Sequence, residues 1–391
     1  MKFLFLLSLF FVPSCCQLFT DKMKGNKTIL DPVVSNIKLY AHSVVALPIV
    51  SIGLVGNLLS LLVLTRPALK GVMYVYLRWL AVSNLCVLLA AVPALLDISH
   101  GLRGGFYAVA FYQAYLKIPL INIFMASSVY IIIFMTFNRF CSIWKPVFFK
   151  RFHTVKNAVV SITLCFLFGF VIHIPLCFQN TIVPQETWLE TNHSVGSRVI
   201  FYESVENDLV ADSPVFKAYL IISEIFLRIG PILVLAVLNP LIIFKYREIV
   251  QKKGRLQGKP QLMSPNVQVA VTVNVTFPFG SGPVRKIPLR AKEDRMMALL
   301  LVSLVLLFLV CTTPAAILSV SYSDKLTHDF GFQLFRAVAN NLELLNFTLN
   351  FYIYCLCSSE IRTAFVDMFS SMFAFLRRTE PQSTVTVEVK S

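Results

Sequence analysis

The stretch from Lys117 to Lys145, KIPLINIFMASSVYIIIFMTFNRFCSIWK, decides the fold of this chain. It is a long apolar run, and residues 129–137 contain only a tyrosine and a threonine as polar side chains. A helix needs about 20 predominantly apolar residues to cross the hydrocarbon core of a bilayer. The run ends at Asn138, Arg139 and Phe140. We therefore predict a membrane-spanning helix with an arginine at its exit, around which the other apolar segments are arranged.

The composition of the whole chain also indicates a membrane protein. Of its 391 residues, 57% are hydrophobic and 14% are charged, whereas soluble domains have about 45–50% apolar and about 25% charged residues. The net charge of +15 would suggest a nucleic acid partner for a soluble chain, but in membrane proteins Lys and Arg mark the cytoplasmic loops. The nine cysteines lack the spacing of a zinc or redox site. We expect no nucleic acid partner, metal or cofactor.

Seven apolar segments are long enough to cross a bilayer as helices. The basic residues cluster in loops on one side, which predicts an N-terminus outside and a C-terminus inside the cell. The predicted fold is an all-α membrane protein, a seven-transmembrane helix bundle over residues 39–357 with a flexible inner loop at 245–290. The predicted spans are residues 39–64, 72–98, 108–143, 158–178, 214–244, 291–321 and 331–357.

The segments that flank the bundle have distinct compositions. Residues 1–16 have the basic start, apolar core and small-residue exit of a secretory signal peptide, and a retained N-terminus is the alternative. Residues 17–38 are predicted to be extracellular, with a glycosylation sequon at Asn26. Residues 358–373 alternate polar and apolar side chains at helical spacing, which predicts a short amphipathic helix on the cytoplasmic membrane surface. Residues 374–391 form a polar cytoplasmic tail.

The loop between the fourth and fifth spans, residues 179–213, is polar and acidic. It contains a second sequon at Asn192, and its acidic residues include Glu203, Glu206 and Asp208. A concentration of negative charge steers cationic ligands by its field. A solvated loop without that function is an equal alternative.

The spans carry short motifs in a fixed order. They are Gly56-Asn57, Asn84, Ser128, Asn138-Arg139-Phe140, Pro231, Phe308, Pro314 and Asn350 to Tyr354. With these motifs, the sequence resembles a rhodopsin-family (class A) G protein-coupled receptor from about residue 39 to residue 369. Trp144-Lys145-Pro146, Glu224 with Arg228 to Pro231, and the run from Asn346 to Cys355 resemble the invertebrate FMRFamide-receptor-like neuropeptide receptors.

The resemblance implies a receptor in the plasma membrane and not an enzyme. It implies an extracellular peptide or amino-acid-derived ligand, a heterotrimeric G protein inside the cell, and contact with membrane lipid. It assigns signal transmission to Pro231, Phe308 and Pro314. It assigns the activation switch to Asn138, Arg139, Phe140, Asp294, Asn350 and Tyr354.

The sequence departs from the family pattern at both ends of the third span. Ala114 stands where the family usually has a cysteine bonded to the second outer loop, so that disulfide cannot form and we expect a mobile loop. Asn138 replaces the acid that usually precedes Arg139. Because an amide cannot attract Arg139 as a carboxylate would, we expect a larger active population and measurable signalling without ligand.

Two interpretations of Arg139 are open. In the family, an acid at the position of Asp294, at the base of the sixth span, often pairs with this arginine in the inactive state. The alternative is that Arg139 only anchors the helix at the membrane interface. We favour the switch.

Neutral polar residues form the predicted centre of the bundle. They are Asn57, Asn84, Ser128 and Asn346, with Asn350 beside them. Relatives commonly bind sodium in this region, and a hard cation in a site of low dielectric constant needs anionic oxygen ligands. We therefore expect a water-filled hydrogen-bond network and little effect of sodium.

Charged residues within spans are costly and usually functional, so they indicate where the ligand binds. The candidates are Lys117, Glu224, Arg228, Arg336 and Glu343. The basic residues could hold a carboxylate or carbonyl, and the glutamates an amine or guanidinium. Alternatively, these charges satisfy one another, as Glu224 and Arg228 could at i,i+4 spacing.

Other classes with membrane helices fit less well. A retinal protein needs a Schiff-base lysine in the seventh span, and residues 331–357 contain none. A transporter would be expected to show internal repeats and broken helices at corresponding places, and this sequence has neither. A small-molecule chemoreceptor of the same architecture is the alternative that stays open, because the motifs describe signalling and not ligand chemistry.

Overall fold

The computed structural model describes residues 40–100, 106–147, 149, 153–191, 194–257, 289–321 and 329–379. Several predicted features lie outside these residues. They are the signal peptide, the N-terminus with Asn26, the sequon at Asn192, the centre of the inner loop and the end of the tail.

The first four helices follow the predicted spans to within a few residues. Helix α1 comprises a π-helical turn, Tyr40–Ala46, and Leu47–Leu64; α2 is Val72–His100. Helix α3 comprises Tyr107–Phe111, the π-helical turn Tyr112–Leu116 and Lys117–Trp144. Helix α4 comprises Val155–His173 and the 3-10 turn Ile174–Phe178.

Two strands, one short helix and four longer helices complete the described chain. Strands β1, Asn180–Thr191, and β2, Ser194–Glu206, are followed by a short helix, Asp208–Ala211. Helix α5 comprises Pro214–Glu224, the π-helical turn Ile225–Ile229 and Gly230–Gln257, and α6 is Leu289–Ser321. Helix α7 comprises Phe330–Thr348 and Asn350–Cys357, and α8 is Ser359–Thr379.

Helices α5 and α8 extend beyond their predicted ends. The inner loop was predicted from residue 245, but α5 continues to Gln257, and Lys245 pairs with Glu248 at i,i+3 on it. Helix α8 continues to Thr379, into the predicted tail. The extension of α5 is rich in polar helix formers, so a prediction from hydropathy ends that helix where its apolar residues end.

Six helices of the described chain are long and apolar enough to cross a membrane, namely α1 to α6. The first segment of α7 carries Arg336, Glu343 and three asparagines, which lower its hydropathy. It nevertheless packs against α1, α2 and α6. The seventh helix is therefore recognised by its packing and its motif rather than by an apolar run.

Helix α3 lies at the centre of the bundle. It packs against α2, α4, α5 and α6, and Ile131, Ile132 and Met135 on it are almost completely buried. These side chains belong to one apolar cluster with Leu80 of α2 and Phe308 of α6. The stretch from Lys117 to Lys145, which predicted the fold, therefore forms most of the central helix of the bundle.

The acidic loop after α4 is a β-hairpin, a structure that the sequence analysis did not predict, and its mobility stays a prediction. Strands β1 and β2 pair antiparallel from Asn180 with Glu206 to Thr191 with Ser194. The aromatic ring of Tyr107 at the start of α3 lies edge-on to that of Tyr202, with centroids 5.3 Å apart. Ring packing thus joins the hairpin to α3 near Ala114. We call this side of the bundle the hairpin end.

The opposite side of the bundle, the Arg139 end, holds α8. Ser358 caps α8 by accepting a hydrogen bond from Ile361 N at 3.3 Å, an N-cap of the usual chemistry. The hydroxyl of Tyr74 near the start of α2 donates to the carboxylate of Glu360. Helix α7 therefore runs from the hairpin end to the Arg139 end.

Candidate functional site

A cavity of about 480 Å³ opens between α2, α3 and α7 toward the hairpin end. Its apolar wall includes Ala91 and Leu95 of α2, Met125 of α3 and Phe347 of α7. Lining residues recur at intervals of three or four along each helix, as expected for one face of a helix. This volume is that of a small-molecule pocket.

Three of the predicted ligand-binding residues line this cavity: Lys117, Arg336 and Glu343. Sequence reasoning missed its uncharged polar lining, Gln333, Asn340 and Asn341. Gln333 and Asn340 lie three and four residues from Arg336, so helical spacing from Arg336 was the available signal. The cavity therefore combines an apolar wall with convergent polar groups, which is the usual composition of a ligand site.

Arg228 lies at the centre of a buried charge network that joins α5 to α7. Its Nη1 donates to both carboxylate oxygens of Glu224, at 2.6 and 2.5 Å. Its Nε donates to Oε1 of Glu343 at 2.9 Å, and its Nη2 donates to Oε2 at 3.2 Å. Glu224 and Arg228 thus satisfy each other, as the alternative interpretation proposed. Glu343, 115 positions from Arg228, joins them as a third member.

The backbone around Arg228 departs from a regular α-helix. Arg228 lies in the π-helical turn Ile225–Ile229, three residues before Pro231. Proline has no N–H and clashes with the carbonyl four residues earlier, which here is that of Leu227. Such π-turns re-aim side chains and are frequent at functional sites. Pro231 therefore lies next to the π-helical turn from which Arg228 of α5 contacts Glu343 of α7.

His173 at the end of α4 was not singled out by sequence. It is 1% exposed, its Nδ1 lies 2.9 Å from the carbonyl of Gly169, and it lies near enough to Glu224 and Arg228 to interact with their charges. Among the described residues its Nε2 has no hydrogen-bond partner. Buried polar groups are rarely left unsatisfied, so this atom marks a position for water or another polar group.

The predicted polar centre is present and buried. Ser128 Oγ donates to Asn84 Oδ1 at 2.6 Å, and Asn57 Nδ2 donates to the carbonyl of Phe347 at 2.9 Å. Asn346 and Asn350 are each 3% exposed. Within the described chain, Asn57 Oδ1 and Asn84 Nδ2 lack partners. Neutral atoms in such positions fit water better than a cation.

Close packing of α1 on α7 supports this centre. A Cβ atom on Gly53 would lie 2.5 Å from Thr348 Oγ1 and 2.7 Å from Leu88 Cδ1. Thr348 Oγ1 donates to the carbonyl of Ile49 at 3.1 Å. Only glycine at position 53 permits this approach, which places Asn57 within reach of α7.

At the Arg139 end, Asn138 ties α3 to α2. Its Nδ2 donates to the hydroxyl of Tyr76 at 3.1 Å and to the carbonyl of Phe134 at 2.9 Å. Arg139 is half-buried, and together with burial its charge lowers the pKa of His153. Asp294 lies on α6, but its side chain is outside the described part of the structure, so the Arg139–Asp294 pair stays a prediction.

The other predicted switch and transmission residues are buried or half-buried. Phe308 and Tyr354 are completely buried in the apolar cluster around α3. Pro314 lies inside α6. Phe140 stacks on Trp144 with ring centroids 5.4 Å apart, and the latter accepts Lys245 of α5 over its ring at 5.2 Å. Aromatic and cation–π contacts thus join α3 to the extended end of α5.

The bundle has seven helices, α1 to α7, with α3 at its centre. A polar-lined cavity at one end and Arg139 at the other define it as a seven-helix membrane receptor. Residues 56–359 match the family 7 transmembrane receptor (rhodopsin family), and the chain belongs to this family. Its members are receptors that couple an extracellular ligand to a G protein.

Two proteins of Caenorhabditis elegans are similar over most of their length. The chain is 28% identical over 345 residues to the probable G-protein coupled receptor AH9.1, covering 86% of this chain and 77% of that protein. It is 28% identical over 353 residues to the probable G-protein coupled receptor B0563.6, covering 85% of this chain and 72% of that protein.

Proposed function

We propose that the cavity at the hairpin end receives an extracellular ligand and that the Arg139 end activates a heterotrimeric G protein. In this arrangement the receptor lies in the plasma membrane, with its N-terminus outside and its C-terminus inside. The basic loops of the sequence, which flank the Arg139 end, support this orientation.

One observation carries the proposal: Glu343 belongs both to the cavity wall and to the Arg228 network. A ligand that contacts Glu343 therefore acts on the contact between α5 and α7. Because α5 also reaches Trp144 near Arg139, the same helix connects the two ends. A ligand that binds these helix arrangements with different affinities shifts their populations.

The proposed ligand is a neuropeptide of the FMRFamide type. The resemblance in Trp144-Lys145-Pro146 and Glu224 with Arg228 supports this choice. Glu203, Glu206 and Asp208 are exposed on or beside the hairpin, where they would attract a cationic peptide. A peptide would place only its terminal residues in a cavity of about 480 Å³.

A receptor for a small molecule or amino-acid-derived ligand is the second candidate. The cavity volume favours it, because about 300–1,000 Å³ is the range of sites that enclose a whole small ligand.

The test is to express the chain in cells and record G-protein activation with amidated neuropeptides, aromatic amino acids and a metabolite panel. Arg139→Ala at equal surface expression serves as the uncoupled control. Activation by peptides that Arg139→Ala abolishes would support the first candidate. A response confined to metabolites would replace it with the second, and a signal that survives Arg139→Ala would argue against coupling at this end.

A further inference from the structure

Arg336 and Glu343 lie on one face of α7 and both line the cavity. Seven residues make almost two helical turns, so their Cα atoms are separated by about 10 Å along the axis. Helix α7 begins at the hairpin end with Phe330. Arg336 is therefore the shallower group and Glu343 the deeper one.

The deep end of the cavity carries more negative than positive charge. Arg228 is one guanidinium shared by two carboxylates, those of Glu224 and Glu343. With both carboxylates ionised, these three side chains have a net charge of −1. Each oxygen of Glu343 accepts one hydrogen bond from Arg228, whereas a carboxylate oxygen can accept two. Glu343 can therefore accept further donors without losing Arg228.

The shallow end of the cavity is cationic. Arg336 lines it from α7, and the ammonium group of Lys117 adds a second positive charge from α3. The guanidinium of Arg336 has five N–H donors in a fork that matches a carboxylate. Opposite charges thus lie at two depths of one cavity.

We propose that this cavity binds a dipolar ligand, which places a guanidinium or ammonium group at Glu343 and a carboxylate at Arg336, nearly two helical turns apart. This inference rests on the proposed role of the cavity as the ligand site. It names the chemistry of the ligand. It favours the amino-acid-derived candidate over an amidated peptide, because the C-terminus of an amidated peptide carries no carboxylate for Arg336.

The direct test uses the purified full chain in detergent, without G protein, and follows its thermal unfolding with 6-guanidinohexanoate as the probe. Hexylguanidine and hexanoate each retain one of the two charges on a similar carbon chain. We expect saturable stabilisation by the dipolar probe and affinities about tenfold or more lower for both single-charge probes.

Variants then assign each charge to its partner. In Glu343→Gln the dipolar probe should bind no better than hexanoate, and in Arg336→Gln no better than hexylguanidine. Lys217→Gln removes a charge from the exposed surface of α5, outside the cavity, and should keep the preference. If Glu343→Gln unfolds because Arg228 loses a partner, Arg336→Gln still tests the shallow end.

Two results would overturn the inference. One is a single-charge probe that binds as tightly as 6-guanidinohexanoate, and the other is no saturable stabilisation by the dipolar probe. Either result, together with intact G-protein activation in cells, would reject the dipolar ligand and leave the proposed function standing. Binding of the probe by a chain that activates no G protein would do the reverse.

Discussion

Replacing Arg228 by glutamine should destabilise the protein more than replacing either of its carboxylate partners. The side chains of Arg228 and Glu343 are each 12% exposed and that of Glu224 is 30% exposed. Arg228→Gln leaves two carboxylates close together with no cation between them. Glu343→Gln leaves one ion pair intact, and its amide oxygen can still accept from Arg228.

The expected magnitudes follow from this count. Removing one partner of a buried ion pair lowers the free energy of unfolding by about 3–5 kcal/mol. We expect Arg228→Gln in that range because it leaves both glutamates without a cation. Glu343→Gln loses one charge-assisted hydrogen-bond pair, worth about 1.5–3 kcal/mol. Glu224→Gln removes the more exposed partner and should cost about 1 kcal/mol or less after solvent screening.

The assay is thermal unfolding of the detergent-purified receptor, with surface expression as a second readout. Lys217→Gln provides the matched control, because Lys217 pairs with Asp212 at 2.9 Å but both side chains are exposed and such pairs contribute little. The double variant Arg228→Gln with Glu343→Gln should lose less stability than the sum of the losses of the two single variants. Equal losses for Arg228→Gln and Glu343→Gln, or a loss for Arg228→Gln no larger than that of Lys217→Gln, would refute the shared-cation reasoning.

Three further changes probe other parts of the molecule. Asn138→Asp introduces the carboxylate that can attract Arg139 and should lower ligand-independent G-protein activation at equal surface expression; unchanged basal activity would remove the idea that an amide here loosens the switch. Asn84→Asp supplies an anionic oxygen to the polar centre and should make thermal stability respond to NaCl relative to choline chloride, whereas the unmodified protein should respond equally to both salts. Neutralising Glu203, Glu206 and Asp208 together should slow association of a cationic peptide ligand mainly at low ionic strength, and an association rate indifferent to both salt and substitution would argue against steering.

The helical bundle could be predicted from sequence because its determinants are local. A bilayer requires long apolar helices, and runs such as the one before Arg139 meet that requirement within a single segment. Helix α7 was harder, since Arg336 and Glu343 reduce its hydropathy. Its predicted span, residues 331–357, nevertheless agrees with the observed helix to within one residue at each end.

Contacts between distant segments could not be predicted in the same way. Arg228 and Glu224 are four residues apart, and their spacing suggested a pair, but Glu343 is 115 positions from Arg228 and only the packing of α5 against α7 unites them. Tyr76 gave no signal that it would bond Asn138. The cavity is likewise a property of three helices together.

The hairpin was missed because its charges were weighted above its backbone preferences. Residues 199–202 are Val, Ile, Phe and Tyr, which favour strands, but they lie among the glutamates that indicated a solvated loop. The first strand also contains Pro184, which lacks an N–H. In a two-stranded ribbon one edge of each strand is unpaired, so a proline is tolerated there. Pro184 lies opposite Tyr202 in the register.

The two departures of α3 from the family pattern have different structural consequences. Near Ala114, the hairpin is held by strand pairing and by the ring contact of Tyr107 with Tyr202. Such an aromatic pair contributes about 0.5–1.5 kcal/mol of stability beyond the burial of its apolar surface. A disulfide typically contributes more, about 2–4 kcal/mol. At the other end, Asn138 bonds α2 through a neutral hydrogen bond. Strong electrostatic coupling instead lies midway along the bundle, where Arg228 joins α5 to α7 beside the cavity. The proposed ligand group at Glu343 would therefore meet a charged contact between two helices, and we expect the helix arrangement to respond to the ligand there rather than at either end of α3.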